Sequence, residues 1–119
     1  MLTIEKYSFG VGDRFAHQAK SQLAGCVQAL EKGVEVVPVW NKSHREHTTI
    51  GSEPASVRQA ADAAVAALGW TKSHYVDADH INMGNVEGFL AYSDFFTIDV
   101  ADGIGATPEG NAVSDFVAK

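Results

Sequence analysis

Four apolar runs of strand length alternate with helical stripes along this chain, and that alternation leaves few folds open. Residues 4–9 read as a short strand. A helix is expected over 15–32, its stripe Phe15, Ala19, Leu23, Cys26, Val27 and Leu30 falling close to the 3.6 period, with Gly33 placed for a left-handed cap. Residues 34–40 form a nearly continuous apolar run, as expected of a strand covered on both faces. Pro38 within it lacks a ladder donor and is expected to mark a bulge or a sheet edge. A polar segment, 41–52, reads as an unusually long connection.

Ser52 is a candidate N-cap for a helix entered at Pro54, with Val57, Ala60, Ala61, Ala64, Val65 and Leu68 as its stripe and Gly69 as its stop. Residues 74–79 read as the third strand, 82–91 as a short helix, 95–99 as the fourth strand, and 111–117 as the start of another helix. The expected fold is α/β, with parallel strands joined by right-handed crossovers. Four such units make either a small open sheet or half of a (β/α)8 barrel.

The residues that carry chemistry fall at the predicted C-terminal ends of strands, where parallel α/β folds build their sites. Asp77, Asp79 and His80 are the densest cluster. Two carboxylates and an imidazole in four residues are typical of metal and acid–base sites; the competing reading is a strand end whose Asp residues cap the next helix. Gly10 and Gly12 precede Asp13 and Arg14, which either hold each other, or leave Arg14 to clamp a carboxylate, or form a tight turn capped by Asp13. Residues 40–48 follow, dense in hydrogen-bonding groups: Asn41, Ser43 and the cations Lys42 and Arg45. His44 and His47 read as polar loop residues, and Trp40 as core. Asp99 and Asp102 lie at and beyond the end of the fourth strand, as ligand-facing groups or as caps. Asp13, Ser43, Asp79, His80 and Asp99 are expected on one rim of the sheet.

At 119 residues the chain is one small domain or a piece of a larger one. Its net charge of −6 argues against a nucleic-acid or anionic-membrane binder. The single cysteine, Cys26, excludes an intrachain disulfide and reads as a small core residue. No apolar run approaches the ~20 residues of a membrane span, and the first seven residues lack a signal-peptide core, so the cytoplasm is the expected location.

Four stretches in order, 7–17 (YSFGVGDRFAH), 38–48 (PVWNKSHREHT), 76–82 (VDADHIN) and 94–102 (DFFTIDVAD), give the chain its resemblance to the tagaturonate/fructuronate epimerase family. The resemblance covers nearly the whole chain. It implies a metal-dependent enzyme of the TIM-barrel kind that interconverts D-tagaturonate and D-fructuronate in hexuronate catabolism. It implies Asp79 as the catalytic proton acceptor and His80 as a ligand to a divalent metal ion. Members of that family are several times longer, and further ligands and a proton donor belong to their second half. The chain thus reads as a single partial domain, the first four βα units of a (β/α)8 barrel, truncated at the C-terminus. Asp13, Arg14, Asn41, Lys42, Ser43, Arg45, Asp77 and Asp99 are the expected contacts to a hexuronate substrate, whose carboxylate suits Arg14, Lys42 or Arg45. Homo-oligomerisation stays open. The alternatives are another metal-dependent sugar isomerase or aldolase on a TIM barrel, and a non-catalytic open-sheet binding domain.

Overall fold

The computed structural model describes residues 4–119. It is an α/β fold built on one four-stranded, all-parallel sheet in the order β1-β2-β3-β4, with β1 at Ser8–Gly12, β2 at Val37–Ser43, β3 at Tyr75–Ile81 and β4 at Phe95–Ile98. The helices are α1 (Ala19–Glu31), α2 (His44–Ile50), α3 (Pro54–Leu68) and α4 (Ala112–Val117). Single 3₁₀ turns lie at Val86–Phe89 and Ala101–Gly103. No helix among the described residues is long and apolar enough to cross a membrane.

Strand parity divides the sheet into two unlike faces. On one, Trp40 and Val76 pack with Leu23 and Cys26 of α1 and with Val57, Ala61 and Ala64 of α3. Leu23 and Ala61 are fully buried there. Removing a leucine side chain from water contributes about 1.5–3 kcal/mol. Cys26 belongs to this core, and burial pushes its thiol pKa up, as expected for a packing residue. The small residues of α3 let it lie close to α1 and the sheet. The other face carries no helix in these core clusters. Val37, Val39 and Tyr75 meet Phe95 on it, and Glu5 crosses its lower end to accept a hydrogen bond from the Tyr75 hydroxyl at 2.8 Å.

Several expected boundaries move. The first strand is Ser8–Gly12 rather than 4–9, so Gly10 and Gly12 are strand residues and not a loop. They pair in register with Val39 and Asn41, and the Asn41 side chain lies over both; a Cβ on Gly12 would stand 3.0 Å from Asn41 Oδ1. The first helix begins at Ala19, because the Asp13 carboxylate accepts from the Phe15 and Gln18 N–H groups and Ala16 takes a φ of 55°, leaving Phe15 exposed. Asp13 is thus a turn-holding acceptor. Gly33, with φ 81°, and Gly69, with φ 60°, end α1 and α3 as expected.

β2 runs on through Asn41, Lys42 and Ser43, which the sequence placed after it. Pro38 is neither bulged nor at an edge: β2 pairs on both sides, and its register with β1 is unbroken. The Val37 N–H bonds to Tyr7 O on the β1 side, so the donor missing at Pro38 faces β3, one residue before that ladder begins at Val39 and Tyr75. The supposed loop 41–52 contains α2, started by a reciprocal cap: Ser43 Oγ accepts from Glu46 N at 3.2 Å, and Glu46 Oε2 accepts from Ser43 N at 3.1 Å. α3 starts with Pro54 in its first turn, but Ser52 is not its N-cap; that position is Glu53. The helix expected over 82–91 is only the 3₁₀ turn, though Phe89 is buried and Val86 partly so, while Leu90 is exposed. α4 forms where expected and buries no residue.

Candidate functional site

Because all four strands run the same way, their C-terminal ends share one edge. Asp13 and Arg14 follow β1, His44 and Arg45 follow β2, Asp79 and His80 lie at the C-terminal end of β3, and Asp99 follows β4. A cavity of about 290 Å³ opens at this edge, lined by Ser43, Arg45, His80, Asn82, Asn85 and Asp99, with His44 beside them. The strand exits thus bring Ser43, Arg45, His80 and Asp99 together. Asp79 pairs in register with Ser43 and touches His80, without lining that cavity.

His80 is held by backbone geometry and by two carboxylates. The pairing of β3 with β4 shifts register between Ala78 and Ile81, and His80 takes a φ of 53° within that irregularity. A left-handed conformation is unfavourable for a residue with a Cβ. It turns the imidazole out to the rim, where Nδ1 lies 3.1 Å from Asp99 Oδ2 and Nε2 lies 3.6 Å from Asp79 Oδ2. Asp79 Oδ1 also accepts from the His80 N–H at 3.1 Å. Asp99 is pulled below the usual carboxylate range first by the Ala101 N–H it accepts and then by His80. An imidazole whose Nδ1–H is donated to Asp99 keeps Nε2 toward Asp79.

Among the described residues, no group of three or more His, Cys, Asp or Glu side chains is disposed to hold a metal ion. The orientation of His80 by a carboxylate on Nδ1 fits a single coordination position and no more.

A second polar group lies on the helix-free face. Asp77 Oδ2 accepts from the Thr97 hydroxyl at 2.8 Å, while its Oδ1 is buried and without a partner among the described residues. Burial, then the nearby Asp79 charge, raises its pKa, and the Thr97 bond opposes them. Asn41, its in-register neighbour, and Thr97 line the same groove of about 420 Å³.

The remaining expected cations are engaged elsewhere. Arg14 Nε lies 3.6 Å from Glu46 Oε1, the same carboxylate that caps α2. Lys42 is only 1% exposed, on the helix-covered side of the sheet. It donates to Ser52 Oγ at 3.0 Å, and its pKa is lowered by burial. Ser52 Oγ is also 2.8 Å from His47 Nδ1. His47 is therefore no loop residue but a buried one, its ring tilted against that of Phe89 with centroids 5.7 Å apart, and its pKa is lowered to about 4, first by burial and then by the Lys42 charge. Nothing in the spacing of 42, 47 and 52 announces this chain, although the Ser-x-x-Glu pattern at 43–46 does announce the helix that creates it. Trp40 is core as expected, its Nε1 donating to Gln22 at 3.0 Å.

A family model described as UxaE, tagaturonate epimerase, matches residues 1–117. The chain belongs to that family. No curated protein and no solved structure matches it.

Proposed function

We propose that this member of the tagaturonate epimerase family acts in the C4 epimerisation of D-tagaturonate and D-fructuronate, with Asp79 as proton acceptor. The observation that carries the reading is the Asp79–His80–Asp99 cluster at the strand exits, beside a polar cavity sized for a small ligand. The two sugars differ at C4 while the ketone is at C2, so enolisation alone does not invert the centre. A retro-aldol step does. Asp79 takes the C4 hydroxyl proton and C4 becomes an aldehyde. The C3–C4 electron pair forms a C2–C3 double bond, and the C2 oxygen takes the charge. Re-addition to the other aldehyde face rebuilds the bond and returns the proton to the C4 oxygen.

The proposal includes a divalent cation, its identity open, which takes His80 as one ligand and its others from beyond the described residues. Bound, it supplies Lewis acidity toward the substrate oxygens. The cytoplasm is the compartment assigned, following the catabolic role.

We also read the sheet as the first four units of a (β/α)8 barrel, one partial domain. Two features support this. Strand order follows chain order while α1 and α3 pack on one face, as in a singly wound barrel and unlike a doubly wound sheet. Both edge strands also expose large apolar side chains, Phe9 at 63% and Ile98 at 72%. In a barrel, the face with Asn41, Asp77 and Thr97 turns inward.

The test is turnover of tagaturonate beside metal content for two variants, each made in the complete barrel of which these residues form the first part. Asp79→Asn keeps the shape but does not accept a proton at neutral pH, so activity should fall by about 10²–10⁴-fold with metal retained. His80→Ala should lower metal content and activity together. An Asp79→Asn protein that loses its metal, or a His80→Ala protein that keeps both properties, overturns these roles.

A further inference from the structure

We propose that Arg45 anchors the substrate carboxylate and retains the carboxylate-bearing fragment while the C3–C4 bond is open. This rests on the epimerase reading above. Three cations stand near the rim, and the structure separates them. Arg14 is paired with Glu46. Lys42 is buried behind the sheet on Ser52. Arg45 is exposed, lines the cavity that holds His80, and makes no ion pair among the described residues.

Its neighbours in that cavity suit an anion. Asn85 Oδ1 accepts from the Asn82 N–H at 3.0 Å, and Asn82 Oδ1 accepts from the Gly84 N–H at 2.9 Å. With both amide oxygens turned to backbone, the two NH₂ groups remain as donors. The one carboxylate in the lining, Asp99, is held by Ala101 N and His80; Arg45 lies near enough to favour its charge but makes no ion pair with it, so the guanidinium fork stays open to a second carboxylate. A guanidinium fork with amide donors beside it is the chemistry that recognises a carboxylate.

The position of the carboxylate in the substrate gives the anchor a second consequence. It is C6, two bonds from the carbon that inverts. When C3–C4 breaks, the C1–C3 piece is an enediolate and the C4–C6 piece is a hydroxy-aldehyde acid. Inversion requires that aldehyde to turn its other face to C3 without leaving. A hold at C6 permits rotation about C4–C5 and prevents escape. A hold at the C4 oxygen alone would resist the rotation.

The experiment, run in the complete barrel, compares wild-type protein with Arg45→Met and Arg45→Lys. It follows fructuronate formed from tagaturonate, dihydroxyacetone released, and binding of glycerate by calorimetry as a stable mimic of the acid fragment. Arg45→Met should lower kcat/KM by about 10- to 200-fold, the range for losing a hydrogen bond to a charged group. It should release more dihydroxyacetone per turnover and abolish glycerate binding. Arg45→Lys keeps the charge without the fork and should fall between. Unchanged glycerate binding in Arg45→Met overturns the anchor, as does a loss of turnover with binding and product partition unchanged. A complete wild-type barrel that binds glycerate through Arg45 but does not interconvert the uronates would instead overturn the epimerase reading and leave the carboxylate site standing.

Discussion

The two faces of the sheet use the same four strands and treat polar groups in opposite ways. On the helix-covered face, the buried cation Lys42 is absorbed into a closed chain, Lys42 to Ser52 to His47, capped by the ring of Phe89. On the helix-free face, Asn41, Asp77 and Thr97 border an open groove, and one Asp77 oxygen has no partner among the described residues. Among the described residues each face also leaves one buried polar side-chain atom unpaired, His47 Nε2 on the covered side and Asp77 Oδ1 on the other. The first lies among packed side chains and the second borders a space. The comparison teaches that parity along β2 and β3 sorts residues by face. Even-numbered positions such as Trp40 and Val76 pack under the helices, and odd-numbered ones divide into an apolar group, Val37, Val39 and Tyr75, and a polar group nearer the strand exits, Asn41 and Asp77.

The sharpest way to break this contrast is to remove packing from each face in turn. Leu23→Ala, on the covered face, should lower stability by about 2–5 kcal/mol in denaturant melts, because it opens a cavity among fixed neighbours. Phe95→Ala, which removes a half-buried ring 5.0 Å from Tyr75 on the other face, should cost clearly less. Equal losses would mean that the two faces contribute alike.

Acid should distinguish the buried polar groups. The folded protein keeps His47 neutral down to about pH 4, whereas an unfolded chain protonates it near 6.5. Its contribution is thus fully present above pH 6.5 and is lost as pH falls from 6.5 to about 4. A shift of about 2.5 units corresponds to about 3 kcal/mol at most, at 1.36 per unit. Stability measured across that range should fall, and the fall should shrink in His47→Gln. A profile identical in the two proteins would remove His47 as the cause.

The smallest effect belongs to Asp77, and its sign is opposite. Its folded pKa is raised by burial, so an unfolded chain gives up the proton first as pH rises from acid. The group therefore lowers stability at neutral pH relative to acid. Asp77→Asn, which keeps an acceptor for Thr97, should melt slightly higher than wild type at pH 7 and alike at pH 3. A lower melting temperature at pH 7 would show that the charge is compensated there.

Much of the architecture was legible because it depends on periods and punctuation. The stripe of α3, its glycine stop, the Gly33 cap and the alternation of strands with helices all follow from residue spacing. β1 starts four residues and ends three residues later than its apolar run suggests, because Gly10 and Gly12 look like a loop in isolation. Only the Asn41 side chain lying over them explains why glycine belongs in that strand. The carboxylates were found, but their partners were not. Asp79, His80 and Asp99 are joined by a register shift between β3 and β4, and a register is a property of two strands, invisible in either one. Arg14 and Lys42 looked equivalent to Arg45 for a similar reason. The ion pair with Glu46 and the burial against α2 exist only once that helix is in place.

The left-handed backbone at His80 has a consequence for how such a chain can change over time. At this position glycine or asparagine would relieve a penalty of about 1–2 kcal/mol, and either is reachable as a substitution that makes the molecule sturdier. A lineage selected for sturdiness alone would drift toward them and lose its imidazole. The side chain that meets both Asp79 and Asp99 is therefore placed where the demands of chemistry and of endurance pull in different directions, and it endures only where the chemistry is in use.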